Sequence, residues 1–302
     1  MLISIIVLIA ALTLIIYGIY CQVKSLKRNH TYTPLYRTIP YTTGLALERV
    51  QSLKDIPGFI AILVCLHEDD LFFSHKGFNL PEIKRSIIST LKNRRPKGGS
   101  SITQQLVKNV FVLAKFSFLR KPLEVIYTVV AEQILTKEDI FILYLDNLRL
   151  GDEVDIGWIQ TVEKYLNKNS SNLSLSEALF LINLIPNPSI RLNHIIQSGN
   201  VDRFTYTHIY GRLFDFIRFV YSKWGPLSLN SLHSISYEDA ICELKTYKSF
   251  KHDIFNASQQ AIFGIRVDFE MSILRKTLED FAIKNSNESR SDSLIDLINS
   301  LD

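Results

Sequence analysis

A chain of 302 residues, 47% hydrophobic, with 34 Lys and Arg against 30 Asp and Glu, carries a formal charge of +4 and a pI near 8.8. The apolar fraction is too high, and the 12 Gly and 9 Pro too few, for a disordered or collagen-like chain. Three cysteines exclude a disulfide framework and a four-thiolate zinc site, and a mean charge this small carries no argument for nucleic acid.

Residues 1–20 contain no charged side chain and 17 apolar ones, interrupted only by Ser4, Thr13 and Gly18. About 20 helical residues rise roughly 30 Å, the depth of a bilayer core. A cleaved signal peptide would need a basic start, a shorter apolar stretch and a small-x-small cleavage site, and none is present. A helix buried in a core is the other reading. The pattern predicts a retained single-span anchor over 1–21. Lys24, Lys27 and Arg28 follow it, and the positive-inside rule sets them in the cytoplasm. Residues 22–54 read as a juxtamembrane connector, with turns at Ile39-Pro40 and Thr42-Thr43-Gly44.

Beyond residue 55 the pattern is mostly helical. Phe59 to Leu66 is a continuous apolar run that predicts a buried helix ending at an acidic cluster. Pro81 falls in the first turn of a helix near 80–92, with Asn79 as its cap. Thr136 to Asp139 and Ser174 to Glu177 read as helix starts, the second as a capping box. Gly98-Gly99 and Pro186-Asn187-Pro188 break the chain. Residues 226–302 hold two or three amphipathic stretches around a polar interruption and read as an appendage.

Three constellations could carry chemistry. In the first, His67 to Gly77, the acids Glu68, Asp69 and Asp70 follow the apolar run. A carboxylate at the edge of an apolar surface suits a general base, although an acidic helix end before a turn is the plainer explanation. In the second, Gly98 to Asn109, the glycines permit close backbone approach and the helix start offers N–H groups to an anion. Gln105, Lys108 and Asn109 share one helix face, which can bind a sugar or phosphate or simply be solvated. A P-loop is excluded by its missing Gly-x4-Gly-Lys-Ser/Thr. In the third, Arg120 and Lys121 lie within helical reach of Glu124, as an ordinary surface ion pair would also have it.

Charge distribution weighs on these alternatives. Between Glu82 and Glu124 there is no acid and there are ten basic residues, from Lys84 to Lys121. That asymmetry fits a polyanionic ligand or anionic surface. Aromatic interleaving is slight and no zinc or helix-turn-helix signature is present, which counts against nucleic acid.

In this order and spacing, the segments resemble glycosyltransferase family 51, the peptidoglycan glycosyltransferases found as monofunctional enzymes and as the first domain of class A penicillin-binding proteins. Its first motif is met by Glu68, Asp69, Phe72, His75 and Gly77. The second is met from Gly98 to Asn109, with Ser101 replacing Thr. Arg120, Lys121 and Glu124 meet the third, and a further family Glu falls on Glu132. Lys137, Ile140, Tyr144 and Leu145 meet the fourth; Leu173, Ser174, Glu177 and Ala178, with Pro186 to Pro188 downstream, meet the fifth. The chain departs from the pattern at His67, where a small or aliphatic residue is usual, at Leu71, where Arg is common, at Asp146 in place of Asn, and in an acidic loop from Gly151 to Gly157 that is one residue longer than usual.

The resemblance implies an all-α, lysozyme-like glycosyltransferase domain over 55–225 with a small membrane-facing jaw, preceded by one transmembrane helix and followed by a helical extension over 226–302. It implies polymerisation of lipid II into glycan strands, with inversion at the anomeric carbon and release of undecaprenyl pyrophosphate. Glu68 would be the general base and Glu124 would assist the donor side. Asp69, Phe72, His75, Ser101, Gln105, Lys108, Asn109, Arg120 and Lys121 would bind substrate. No dedicated metal site is legible, although a divalent cation, Mg or Mn, could share the pyrophosphate charge. The implied partners are lipid II, the growing strand, the membrane and other cell-wall synthesis proteins, with no nucleic acid. The implied location is the inner (cytoplasmic) membrane, single-pass, with the catalytic domain extracytoplasmic, against the positive-inside charges. No transpeptidase is expected: the one Ser-x-x-Lys, Ser89 to Lys92, lies inside the matched segment, and no Lys-Thr-Gly is present. The rival readings are a non-catalytic membrane-bound scaffold of a cell-wall complex and a lysozyme-like hydrolase.

Overall fold

The computed structural model describes residues 2–29, 55–93, 99–111, 120–148, 157–185, 210–225, 229–247 and 266–276. Gly98, most of the 151–157 loop, the Pro186–Pro188 turn and the greater part of the 22–54 connector lie outside the described residues, as do the last 26 positions of the extension, 277–302. The described residues are all-helical, as expected. Helix α1 is Leu2–Asn29, α2 Gly58–Glu68, α3 Leu80–Asn93, α4 Ile102–Phe111, α5 Arg120–Ile134 and α6 Lys137–Asp146. They are followed by α7 Trp158–Leu166, α8 Leu175–Leu184, α9 Tyr210–Trp224, α10 Tyr237–Thr246 and α11 over 266–276. They form two compact units, one of Met1–Lys54 with His75–Asn147, the other of Asp55–Ser74 with Leu148–Asp302.

In the first unit α4 packs on α5 and α6, and α1 lies along α5. Leu106, Val107 and Val110 fill the interior, and Phe111 stacks on Tyr127 with ring centroids 4.8 Å apart. The local signals that start these helices act as their sequences imply. Asn79 Oδ1 accepts the Glu82 N–H at 3.1 Å, capping α3. Thr136 and Asp139 form a reciprocal capping box for α6, with the shorter Asp serving where Glu is usual. Gly77, at φ +87, occupies a conformation few L side chains adopt; a Cβ there would meet Thr128 Cγ2 at 2.6 Å.

The anchor expected over 1–21 requires correction. An apolar helix forms, but among the described residues no helix is long and apolar enough to cross a membrane. The physical difference lies in the helix's later turns, which continue to Asn29 and dock on α5. Ile19 and Val23 are buried there, and Tyr127 Oη donates to Gln22 Oε1. This overturns the transmembrane helix and the single-pass membrane location drawn from it.

The second unit is organised around α2. A helix apolar on every face has no side to give to water, and each residue from Gly58 to Leu66 is buried. Helices α8, α9 and α10 and the 3-10 turn Leu229–Ser234 surround it. The Gly58 N–H donates to Ile235 O, just ahead of α10, at 2.8 Å. A Cβ on Gly58 would lie 2.2 Å from Ser236 O and 2.9 Å from Ala240 Cβ, so this seat admits only glycine. At the other end of the segment, Ser74 Oγ donates to Tyr247 O at 3.1 Å. Residues 235–247 therefore grip the α2 segment at both ends. On α9, Arg212 Nη1 donates to Leu66 O, one of the carbonyls a helix end leaves without an intrahelical partner. Helix α8 starts on the Ser174–Glu177 capping box read from sequence, and Lys168 Nζ lies 2.7 Å from Glu177. Burial would raise the Glu177 carboxyl, but the bonds from Lys168 and Ser174 outweigh it and hold the group below its ordinary value.

Candidate active site

The residues singled out by sequence divide between the two units. Glu68, Asp69 and Phe72 belong to the second; His75, Ser101, Gln105, Lys108, Asn109, Arg120, Lys121 and Glu124 belong to the first.

Glu68 is the last residue of α2. Its side chain is 8% exposed, and Oε1 lies 2.9 Å from His67 Nδ1. The helix stops because Asp69 turns extended (φ −160, ψ 86) while its N–H still reaches Cys65 O. Asp69 is buried at 3% exposure. Its carbonyl accepts the Phe72 N–H at 3.0 Å, which starts the 3-10 turn Phe72–Ser74. Phe72 is buried and packs edge-on against Phe73. The acidic cluster is thus drawn inward by an all-apolar helix, unlike a solvated helix end. One of its acids also faces α9: burial pushes the Asp215 carboxyl up, Arg212 and Arg218 pull it down, and Asp70 raises it further.

Glu124, in the second turn of α5, is 1% exposed. Lys121 Nζ sits 2.6 Å from Oε2, and Arg120 Nη1 sits 3.6 Å from Oε1. The i+3 and i+4 spacings bring both cations over one carboxylate. The cations themselves remain 56% and 38% exposed, so they can offer charge to an anion as well as to Glu124.

Several of the expected binding residues have structural partners. Ser101 Oγ donates to Gly77 O at 2.6 Å and accepts the Gln104 N–H, while Gln104 Oε1 accepts the Ser101 N–H. That reciprocal pair is a capping box for α4, so replacement of Thr by Ser keeps the hydroxyl that the turn needs. Tyr144 Oη donates to Gln105 Oε1 at 3.3 Å, and Asn109 Nδ2 donates to Asn147 O at 3.1 Å, tying α4 to the end of α6. Lys108 is the exposed member of that face. Glu132 accepts from Thr103 Oγ1 at 2.5 Å and from Lys137 Nζ at 2.6 Å, joining α4, α5 and α6. At Asp146 the expected Asn is displaced by one position: Asn147 caps α6, its side chain donating to Leu143 O at 2.8 Å.

Two residues with a direct part in this geometry were not among the sequence candidates. His67 was visible only as a departure from a pattern, and Gln104 only as part of a motif; neither spacing nor periodicity identifies its bond. Among the described residues, no group of three His, Cys, Asp or Glu could hold a metal ion.

Residues 41–205, more than half of the chain, match the transglycosylase family. Among curated relatives, the biosynthetic peptidoglycan transglycosylase of Cronobacter sakazakii is 34% identical over 150 residues, covering 50% of this chain and 61% of the relative. Those of Salmonella newport and Salmonella typhimurium are each 35% identical over 151 residues, covering 50% of this chain and 62% of the relative. The chain thus spans about three fifths of the length of these relatives.

Proposed function

The chain belongs to the transglycosylase family, and from that premise we propose that it is a peptidoglycan glycosyltransferase that polymerises lipid II into glycan strands. The observation that supports this reading is that each of two enclosed carboxylate side chains stands at its family motif beside a nitrogen donor: Glu68 beside the His67 imidazole, and Glu124 beside Lys121 and Arg120.

In the proposed reaction the acceptor sugar's 4-hydroxyl oxygen attacks the donor's anomeric carbon. Glu68 takes the hydroxyl proton as the new carbon–oxygen bond forms. The bond from the anomeric carbon to the pyrophosphate breaks on the opposite face, so the centre inverts. The electron pair leaves with undecaprenyl pyrophosphate. Arg120, Lys121 and Lys108 would meet the charge that develops there, with Glu124 orienting the first two. The described residues build no cage for Mg or Mn, and no step here is routed through a metal. Asp69, Phe72 and His75 would shape the acceptor side, and Ser101, Gln105 and Asn109 would hold the α4 face in place. A single activity is proposed, since the 302 residues contain no Lys-Thr-Gly. The growing strand and other cell-wall synthesis proteins would be its partners.

The test is incubation of the purified chain with labelled lipid II. Long glycan strands are expected. Binding of lipid II without extension would replace the enzyme by a scaffold, and release of short soluble fragments from preformed glycan would replace it by a hydrolase.

A further inference from the structure

His67 directly precedes Glu68, in the last turn of α2. Consecutive helical residues do not normally face one another. Here the chain leaves the helix at Asp69, and the two side chains meet, Nδ1 to Oε1, at 2.9 Å. Both are nearly enclosed, at 11% and 8% exposure. An ionised carboxylate only accepts hydrogen bonds, so the proton in this contact belongs to Nδ1. In a neutral ring that leaves Nε2 as the acceptor, and Nε2 is buried with no hydrogen-bond partner among the described residues. The ring therefore accepts the cost of one unsatisfied buried nitrogen while directing the other at Glu68. A leucine of similar size would avoid that cost if packing were the side chain's only task.

We propose that His67 is a positioning residue for Glu68, its Nδ1–H fixing the rotation of the carboxylate so that the second oxygen is aimed at the acceptor hydroxyl. The inference rests on the reading of Glu68 as the general base. The bond survives proton transfer, because the carboxylic acid formed still has an oxygen that accepts from Nδ1–H. His67 gains and loses no proton in the step.

The test uses the whole chain carrying His67→Leu, His67→Asn or Glu68→Gln, assayed for extension of labelled lipid II. Asparagine retains a donor near the position of Nδ1; leucine retains only the bulk. His67→Leu is expected to lower kcat by about 10–100-fold, as loss of an orienting partner does elsewhere, with KM nearly unchanged. His67→Asn is expected to recover most of the loss. A His67→Leu variant with wild-type kcat beside an inactive Glu68→Gln overturns the inference, as does a His67→Asn variant no better than His67→Leu. An active Glu68→Gln instead overturns the assignment of the base. Imidazole nitrogen NMR on the wild-type chain gives a readout independent of variant folding: the Nδ1-protonated tautomer is expected at neutral pH, and the Nε2-protonated tautomer overturns the proposal.

Discussion

Glu68 closes a helix that is apolar on every face and leans on a ring nitrogen; Glu124 lies one turn into a half-exposed helix and is bridged by two cations. Both side chains are almost fully enclosed. What differs is the neighbour each meets: an imidazole nitrogen beside Glu68, an ammonium and a guanidinium beside Glu124. A carboxylate can take a proton from a reacting hydroxyl, and it can also hold cations in line for an anion. Under the proposed function the same residue type would serve as base in one region and as charge organiser in the other.

The comparison can be broken first at the charge organiser. Glu124→Gln removes the carboxylate that aligns Arg120 and Lys121 and is expected to lower kcat by about 10–100-fold, the usual worth of an orienting partner. Steady-state extension of labelled lipid II measures it. Next in size is the helix that carries Glu68. Gly58→Ala forces a methyl into Ser236 O, and such overpacking costs about 1–3 kcal/mol. Chemical denaturation should show that loss, whereas Val125→Ala on the exposed side of α5 should leave stability nearly unchanged.

Salt sharpens the contrast further. The cations at Glu124 are exposed and screened by ions, while the His67–Glu68 contact is enclosed. Lys121→Ala is therefore expected to weaken the salt dependence of kcat/KM, and His67→Leu to leave it intact. The smallest effect expected is on pH-dependent stability. Glu177 has its folded pKa below the unfolded one, so its contribution is present above the ordinary value of 4.5 and is lost as pH falls through the folded value. Glu177→Gln should remove that acid-side loss, visible as a flatter melting temperature as pH falls below 4.5.

Much of this was legible in the sequence because it is local. The Asn79 cap, the Ser174–Glu177 box, the apolar run of α2 and the motif acids are set by residue type and spacing over a few positions. The remainder depends on pairs far apart in the chain. No periodicity states that Gly58 seats Ser236, that Ser74 reaches Tyr247, or that Arg212 covers the end of α2. Residues 229–247, which read as part of an appendage from their composition, pack on α2. The apolar count of residues 1–20 suggested a membrane span for a related reason: counting does not reveal that Ile19 and Val23 face α5. His67 is visible in the sequence only as a departure from a pattern, and residue type alone does not state its bond to Glu68.

The most direct test of the central claim is the initial rate of lipid II extension by Glu68→Gln beside wild type, with folding of both checked by thermal melting. The amide keeps the size and the hydrogen-bonding capacity but cannot take the acceptor's proton. A fall of about 10²–10⁴-fold, the usual worth of a general base, with an unchanged melt is the predicted result. An amide variant that extends glycan within a few fold of wild type would contradict the account.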